Sequence, residues 1–202
     1  QESRGLGDVY KKQVKRFVLA VPGMHNARNA ITAIAVAREI GIDWDAILKG
    51  IENFITVPMR WEKSIVGGIE IINDAYNANP ASMKAAIKTF IESPTAGEKW
   101  LVIGAMLELG DLSNTAHEEI GNYICNFSWG GVVIVGNEAS MMAETAINHY
   151  VNPSKIYFCQ SKEKAAEILL ENVKSPAAIL FKASRGVGIE KVLELFKAGK
   201  IG

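Results

Sequence analysis

Short apolar runs at Ile69–Ile72, Trp100–Ile103, Val132–Val135, Ile156–Phe158 and Ala178–Phe181 punctuate the chain beyond about residue 57. Apolar residues at helical spacing lie between and after them, over Ser82–Glu92, Thr115–Asn126, Glu138–His149, Ser161–Asn172 and Ile189–Ala198. Strands that are apolar without alternation are expected to be buried on both faces of a sheet. Their regular exchange with helices predicts βαβ units. Residues 58–202 are therefore expected to form a doubly wound α/β domain with a mainly parallel sheet. Residues 1–57 read differently, as two helices and a candidate strand at Arg16–Ala20. "HNARNAITAIAVAREIG" stops at Gly41, and "DWDAILKGIENF" follows with Asp43 as a candidate N-cap.

The 202 residues are 49% apolar and 22% charged with no formal net charge, the composition of a soluble globular protein. Neutrality gives no support for a broad nucleic-acid or anionic-membrane surface, so any phosphate recognition must be local. No apolar run is long enough to span a bilayer, and the start "QESRGLGDVYKK" lacks the apolar core of a secretory signal. These features predict a cytoplasmic protein with no membrane insertion. Cys125 and Cys159 are far apart and form no C-x-x-C, which argues against a disulfide framework or a cysteine metal site. Asn126-Phe127-Ser128 is read as a chance sequon.

Candidate chemistry collects where the apolar runs end, because ligands of open parallel sheets gather at the carboxyl ends of strands. "NDAYNANPAS" follows Ile72 and holds Asn73, Asp74, Tyr76, Asn77 and Asn79. A turn needs one or two such residues. Asn79 before Pro80 is accounted for as a helix start, which leaves Asp74 and Asn77 in excess. "PGMHNARNA" sets His25, Asn26 and Asn29 at the head of a helix, with His25 and Asn29 on one face. "IGAMLELGDLSNTAHEEIG" reads as a strand-to-helix loop, with Thr115 and Glu118 expected to form a capping box and His117 in the first turn. "FKASRGVGIEKV" brings Lys182, Ser184 and Arg185 to the end of the last strand, suited to a phosphate or carboxylate or to a solvated edge. No G-x-x-x-x-G-K-[ST] loop, G-x-G-x-x-G fingerprint, H-E-x-x-H or G-x-S-x-G occurs.

Taken together, "PGMHNARNAITAIAVA", "MRWE", "NDAYNANPASM", the Gly104–Gly121 stretch and "FKASRG..IEKV" resemble, in order and spacing, the carboxyl-terminal part of the Mur ligase family. "DAYNANP" is similar to the branch that joins D-alanyl-D-alanine to UDP-N-acetylmuramoyl-tripeptide in peptidoglycan precursor synthesis. The resemblance implies a Rossmann-like carboxyl-terminal domain from residue 58, preceded over 1–57 by a helical remnant of the central P-loop ATPase domain. It implies ATP as co-substrate, Mg²⁺, an acyl-phosphate intermediate and a monomer. Among the residues, it implies an ATP site that includes His25, Asn26, Asn29, Arg60 at the phosphates and Asp74 at the ribose. It also implies an amine-side cleft with Asn77, Asn79, Lys182, Ser184 and Arg185. The P-loop, the modified lysine and the metal ligands are expected upstream, so this stretch is expected to be a piece of the enzyme, inactive alone, with no catalytic or metal residue of its own.

Two departures qualify the resemblance. Ala105 stands where the family usually has Asp, and Ala183 where it usually has Gly. They favour the competing reading, a non-catalytic nucleotide-sensing or interaction module of the same fold. A flavodoxin-like or dinucleotide-binding oxidoreductase domain fits the element order but lacks a glycine fingerprint.

Overall fold

The computed structural model describes residues 16–19, 21–54 and 57–201. The chain divides into two compact units, one through residue 55 and one from residue 56.

The first unit holds α1 (Met24–Glu39) and α2 (Trp44–Glu52). Asp43 caps α2 as expected, its carboxylate accepting from the Asp45 and Ala46 N–H groups at 2.9 Å each. The strand expected at Arg16–Ala20 is not found: residues 16–19 have no regular structure, and residue 20 lies outside the described residues. A strand needs a hydrogen-bonded neighbour, and the described part of this unit offers none.

The second unit is a six-stranded sheet between two helical layers. Its strands are β1 (Glu62–Val66), β2 (Ile69–Asn73), β3 (Glu98–Gly104), β4 (Gly131–Val135), β5 (Ile156–Cys159) and β6 (Ala177–Lys182), in spatial order β1-β2-β6-β3-β4-β5. All neighbours pair in parallel except β1 with β2. That hairpin turns through Gly67 and Gly68 at φ 55° and 76°, a pair of left-handed positions that glycine occupies without strain. Sequence pattern missed β1, since an edge strand carrying Glu62, Lys63 and Ser64 has no apolar run.

Helices α3 (Pro80–Glu92), α4 (Ser113–Ile124) and α5 (Ser140–His149) cover one face, packing Met83, Ile87, Phe90, Ile120 and Met142 on Ile72, Leu101, Ile103 and Leu180. Helices α6 (Lys162–Asn172) and α7 (Glu190–Ile201) cover the other, with Leu169, Val192 and Phe196 against Ile71, Val102, Val133 and Phe181. The two-sided burial inferred from non-alternating strands is thus realised: β4 and β6 are buried at every position. One local expectation fails. α4 starts at Ser113 without a side-chain cap, so Thr115 and Glu118 lie inside the helix and form no capping box. A preceding 3-10 turn at Gly110–Leu112 carries the chain directly into the helix.

Candidate functional site

β6 lies between β2 and β3, so the loops after these three strands meet at one carboxyl edge of the sheet. They are residues 74–79, 105–109 and 183–188. The first is seated by its backbone, as the Asp74 N–H donates to Phe181 O at 2.9 Å. From the end of β6, the Lys182 ammonium donates to Asp74 Oδ2 at 2.7 Å, Asp74 O at 3.2 Å and Asn77 O at 3.0 Å. The Lys182 side chain is 3% exposed and that of Asp74 is 20% exposed, so the ion pair sits just beneath the surface.

Ser184 links all three loops. Its hydroxyl accepts from the Leu107 N–H at 3.0 Å and donates to Ala78 O at 3.3 Å, while its own N–H donates to Ala105 O at 3.0 Å. His117 braces the middle loop from α4. Nε2 accepts from the Met106 N–H at 3.0 Å, and Nδ1 contacts Ser113 O at 2.7 Å, which assigns the proton to Nδ1. This buried histidine is the positioning residue that sequence reasoning passed over. Its signal was faint: a lone His in a first turn is ordinary until the strand loop folds against it.

Asn79 performs a local task, as expected from its place before Pro80. Its side chain accepts from the Ser82 N–H at 2.8 Å and Ser82 Oγ accepts from the Asn79 N–H at 3.0 Å, a reciprocal cap at the start of α3. Asn77 is exposed and its Oδ1 accepts from the Ala78 N–H at 2.8 Å, which leaves its NH₂ without a protein acceptor among the described residues.

The segment before β1 forms the remaining wall. Met59 and Trp61 adopt φ 61° and 53°, left-handed positions that cost energy for side chains of this size, and Arg60 lies between them. Four contacts hold this bend. The Met59 N–H donates to Glu62 Oε2 at 3.0 Å, the Trp61 N–H to Asp74 Oδ1 at 3.1 Å and the Tyr76 N–H to Met59 O at 3.0 Å. The fourth comes from Arg185, which rests on the Met59 sulfur. The Arg60 guanidinium lies over the Tyr76 ring, 4.3 Å from its centroid.

The structure therefore brings together Arg60, Asp74, Asn77, Asn79, Lys182, Ser184 and Arg185. Of these, Arg60, Asn77, Asn79 and Arg185 are exposed, whereas the donors of Lys182 and Ser184 are engaged by protein acceptors. Asn26 and Asn29 lie on α1, in the first unit; Asn26 Nδ2 donates to Pro22 O at 2.7 Å and Asn29 is exposed. His25 is the second residue of the same helix, but its side chain lies outside the described residues. Among the described residues no group of three or more His, Cys, Asp or Glu is arranged to hold a metal ion. No described helix is long and apolar enough to cross a membrane.

The "Mur ligase, glutamate ligase domain" family matches residues 59–185, the span from the Met59 bend to Arg185. The chain belongs to the Mur ligase family. This Mur ligase chain is 36% identical over 195 residues to the UDP-N-acetylmuramoyl-tripeptide--D-alanyl-D-alanine ligase of Bacillus subtilis, covering 96% of this chain and 42% of the relative. It is 30% identical over 178 residues to the ligase of the same name from Escherichia coli, covering 87% of this chain and 38% of that one. Among solved structures it superimposes on a MurF ligase from Thermotoga maritima in complex with ADP, with a TM-score of 0.75 and 31% identity over 89% of this chain and 39% of that one. For a MurF from Acinetobacter baumannii the TM-score is 0.80 at 29% identity, over 90% of this chain and 39% of that chain. The Mur ligase chain thus spans about two-fifths of the length of these relatives. The doubly wound, mainly parallel sheet expected from the sequence is the fold observed and the fold of these neighbours.

Proposed function

We propose that the protein is the carboxyl-terminal part of an ATP-dependent amide ligase that joins D-alanyl-D-alanine to UDP-N-acetylmuramoyl-tripeptide. The observation that carries this reading is the Asp74 junction: a partly exposed carboxylate, an exposed Asn77 and two arginines at one sheet edge, in a chain similar to ligases of that name. In the reaction the tripeptide carboxylate takes the γ-phosphoryl group of ATP. The dipeptide amine then attacks the acyl carbon, forming the C–N bond as phosphate leaves with the C–O bonding pair and the amine loses a proton. An acyl phosphate hydrolyses in water, so a domain that closes over it protects the intermediate.

In this reading Asp74 accepts from ribose hydroxyls, using lone pairs left free by Lys182 and Trp61. Arg60, stiffened by its stack on Tyr76, meets the phosphates. Asn26, Asn29 and His25 serve the adenine side. Asn77 offers its NH₂ between nucleotide and amine, with Asn79 holding that loop to α3, and Arg185 suits the carboxylate of the incoming dipeptide. Residues 1–57 belong to the ATPase domain and 58–202 to the closing domain. Since the chain has no G-x-x-x-x-G-K-[ST] loop, the 202 residues alone are expected to release no phosphate from ATP.

The test is phosphate release by the full-length protein given ATP, UDP-tripeptide and D-alanyl-D-alanine. Asp74→Ala is expected to lower kcat/KM for ATP by about a hundredfold or more, as for loss of a charged hydrogen-bonding group. Unchanged turnover in that variant would remove Asp74 from the nucleotide site, and no phosphate release by the unmutated full-length protein would favour the non-catalytic module.

A further inference from the structure

β6 ends in a lysine where a buried sheet centre would ordinarily carry an apolar residue, with Phe181 and Ala183 on either side fully buried. An ammonium there is tolerable only if its charge and protons are all answered. They are. Its three protons match three acceptors, Asp74 Oδ2, Asp74 O and Asn77 O, all on the loop after β2. None remains for a substrate. The other carboxylate oxygen, Asp74 Oδ1, takes the Trp61 N–H at 3.1 Å. Asp74 is thereby gripped at both oxygens by groups of the protein interior, yet each oxygen keeps a second lone pair and the side chain stays one-fifth exposed.

We infer that Lys182 is a positioning residue for the nucleotide, acting from beneath the site by fixing the Asp74 carboxylate and the Asn77 peptide rather than by touching ATP or the incoming amine. This rests on the proposed nucleotide role of Asp74. Without the ammonium, the loop keeps its chain connections, its Asn79 cap and the Trp61 N–H contact at Asp74 Oδ1, but loses the grip on Oδ2 and the tie to the Asn77 carbonyl. The carboxylate, held then at Oδ1 alone, would be free to pivot about that contact, and nucleotide affinity would fall while the chemical step, served by other groups, would change less. A lysine in direct contact with the dipeptide would show the opposite partition.

The test is a double-mutant cycle in the full-length ligase with ATP and D-alanyl-D-alanine varied separately. Lys182→Met is expected to raise KM for ATP about tenfold or more, the effect of losing a charge-assisted contact, with KM for D-alanyl-D-alanine and kcat within about threefold. In the Asp74→Asn background the same change is expected to add less than about threefold, because the group it acts through is already altered. Additive effects in the cycle, or a rise confined to KM for the dipeptide, would overturn the positioning role. So would a lowered melting temperature with both KM values unchanged. If Asp74→Asn raises KM for ATP and Lys182→Met does not, the positioning role falls alone. If Asp74→Asn itself leaves KM for ATP unchanged, the nucleotide reading falls and takes this inference with it. Should Lys182→Met fail to fold, Lys182→Gln keeps a donor without the charge; a rise in KM for ATP of about threefold or more supports the role, and an unchanged KM overturns it.

Discussion

His117 shows how much one ring does when each nitrogen meets a backbone group. It answers the Met106 N–H and the Ser113 carbonyl at once, the first contact buried and the second partly so. His117→Leu keeps the volume but leaves the buried Met106 N–H without its acceptor, so we expect a loss of about 1–3 kcal/mol in urea denaturation. Ala183 and Gly104 form a second residue-scale pair. A Cβ built on Gly104 would lie 3.0 Å from the Ala183 Cβ and 2.9 Å from Val187 Cγ1. The methyl that this chain carries at Ala183 is therefore accommodated by the bare Cα opposite. Gly104→Ala should cost about 1–3 kcal/mol through overpacking, and Ala183→Gly in the same chain should recover part of it, read as paired shifts in urea midpoint.

At the scale of elements, helix starts decide local order. The reciprocal Asn79 and Ser82 cap is worth about 1 kcal/mol, so Asn79→Ala should lower stability by that amount while leaving Asp74 in place. Asp43 does the same for α2 with a charge. The Ala46 N–H, followed by the Asp45 N–H and the field of Arg38, holds its carboxyl below the usual carboxylate range. A depressed folded-state pKa means that the cap is fully effective above the ordinary carboxylate value and is lost as pH falls through the depressed one. The amide resonances of Asp45 and Ala46 should shift in that acid window as α2 frays, and Asp43→Asn, which caps without titrating, should flatten the response. Among elements, β1 was illegible because its stability comes from pairing to β2 rather than from its own apolar content. The other strands were legible because burial on both faces leaves no room for polar alternation.

At the scale of the molecule, the sheet interior also sets thiol chemistry. Burial pushes the thiols of Cys125 and Cys159 up, with Cys159 buried at the end of β5 and Cys125 only partly covered. A thiol reagent at neutral pH should label Cys125 first and Cys159 only on unfolding. Sequence alone determined the alternation of strands and helices, the parallel sheet and the strand-end loops that carry Asp74, Asn77 and Arg185, because periodicity and two-sided burial are properties of short stretches. It also separated Asn79 as a helix cap, since its reach is three residues. What only the tertiary structure decided is which polar groups are free. Lys182 and Ser184 read as site residues in the chain, yet spatial order β2-β6-β3 sets them against loops about a hundred residues away and engages their side-chain donors. His117 read as incidental and became a brace for the same reason. Pairings across that distance depend on where the strands cross, and no local pattern of side chains encodes the crossing.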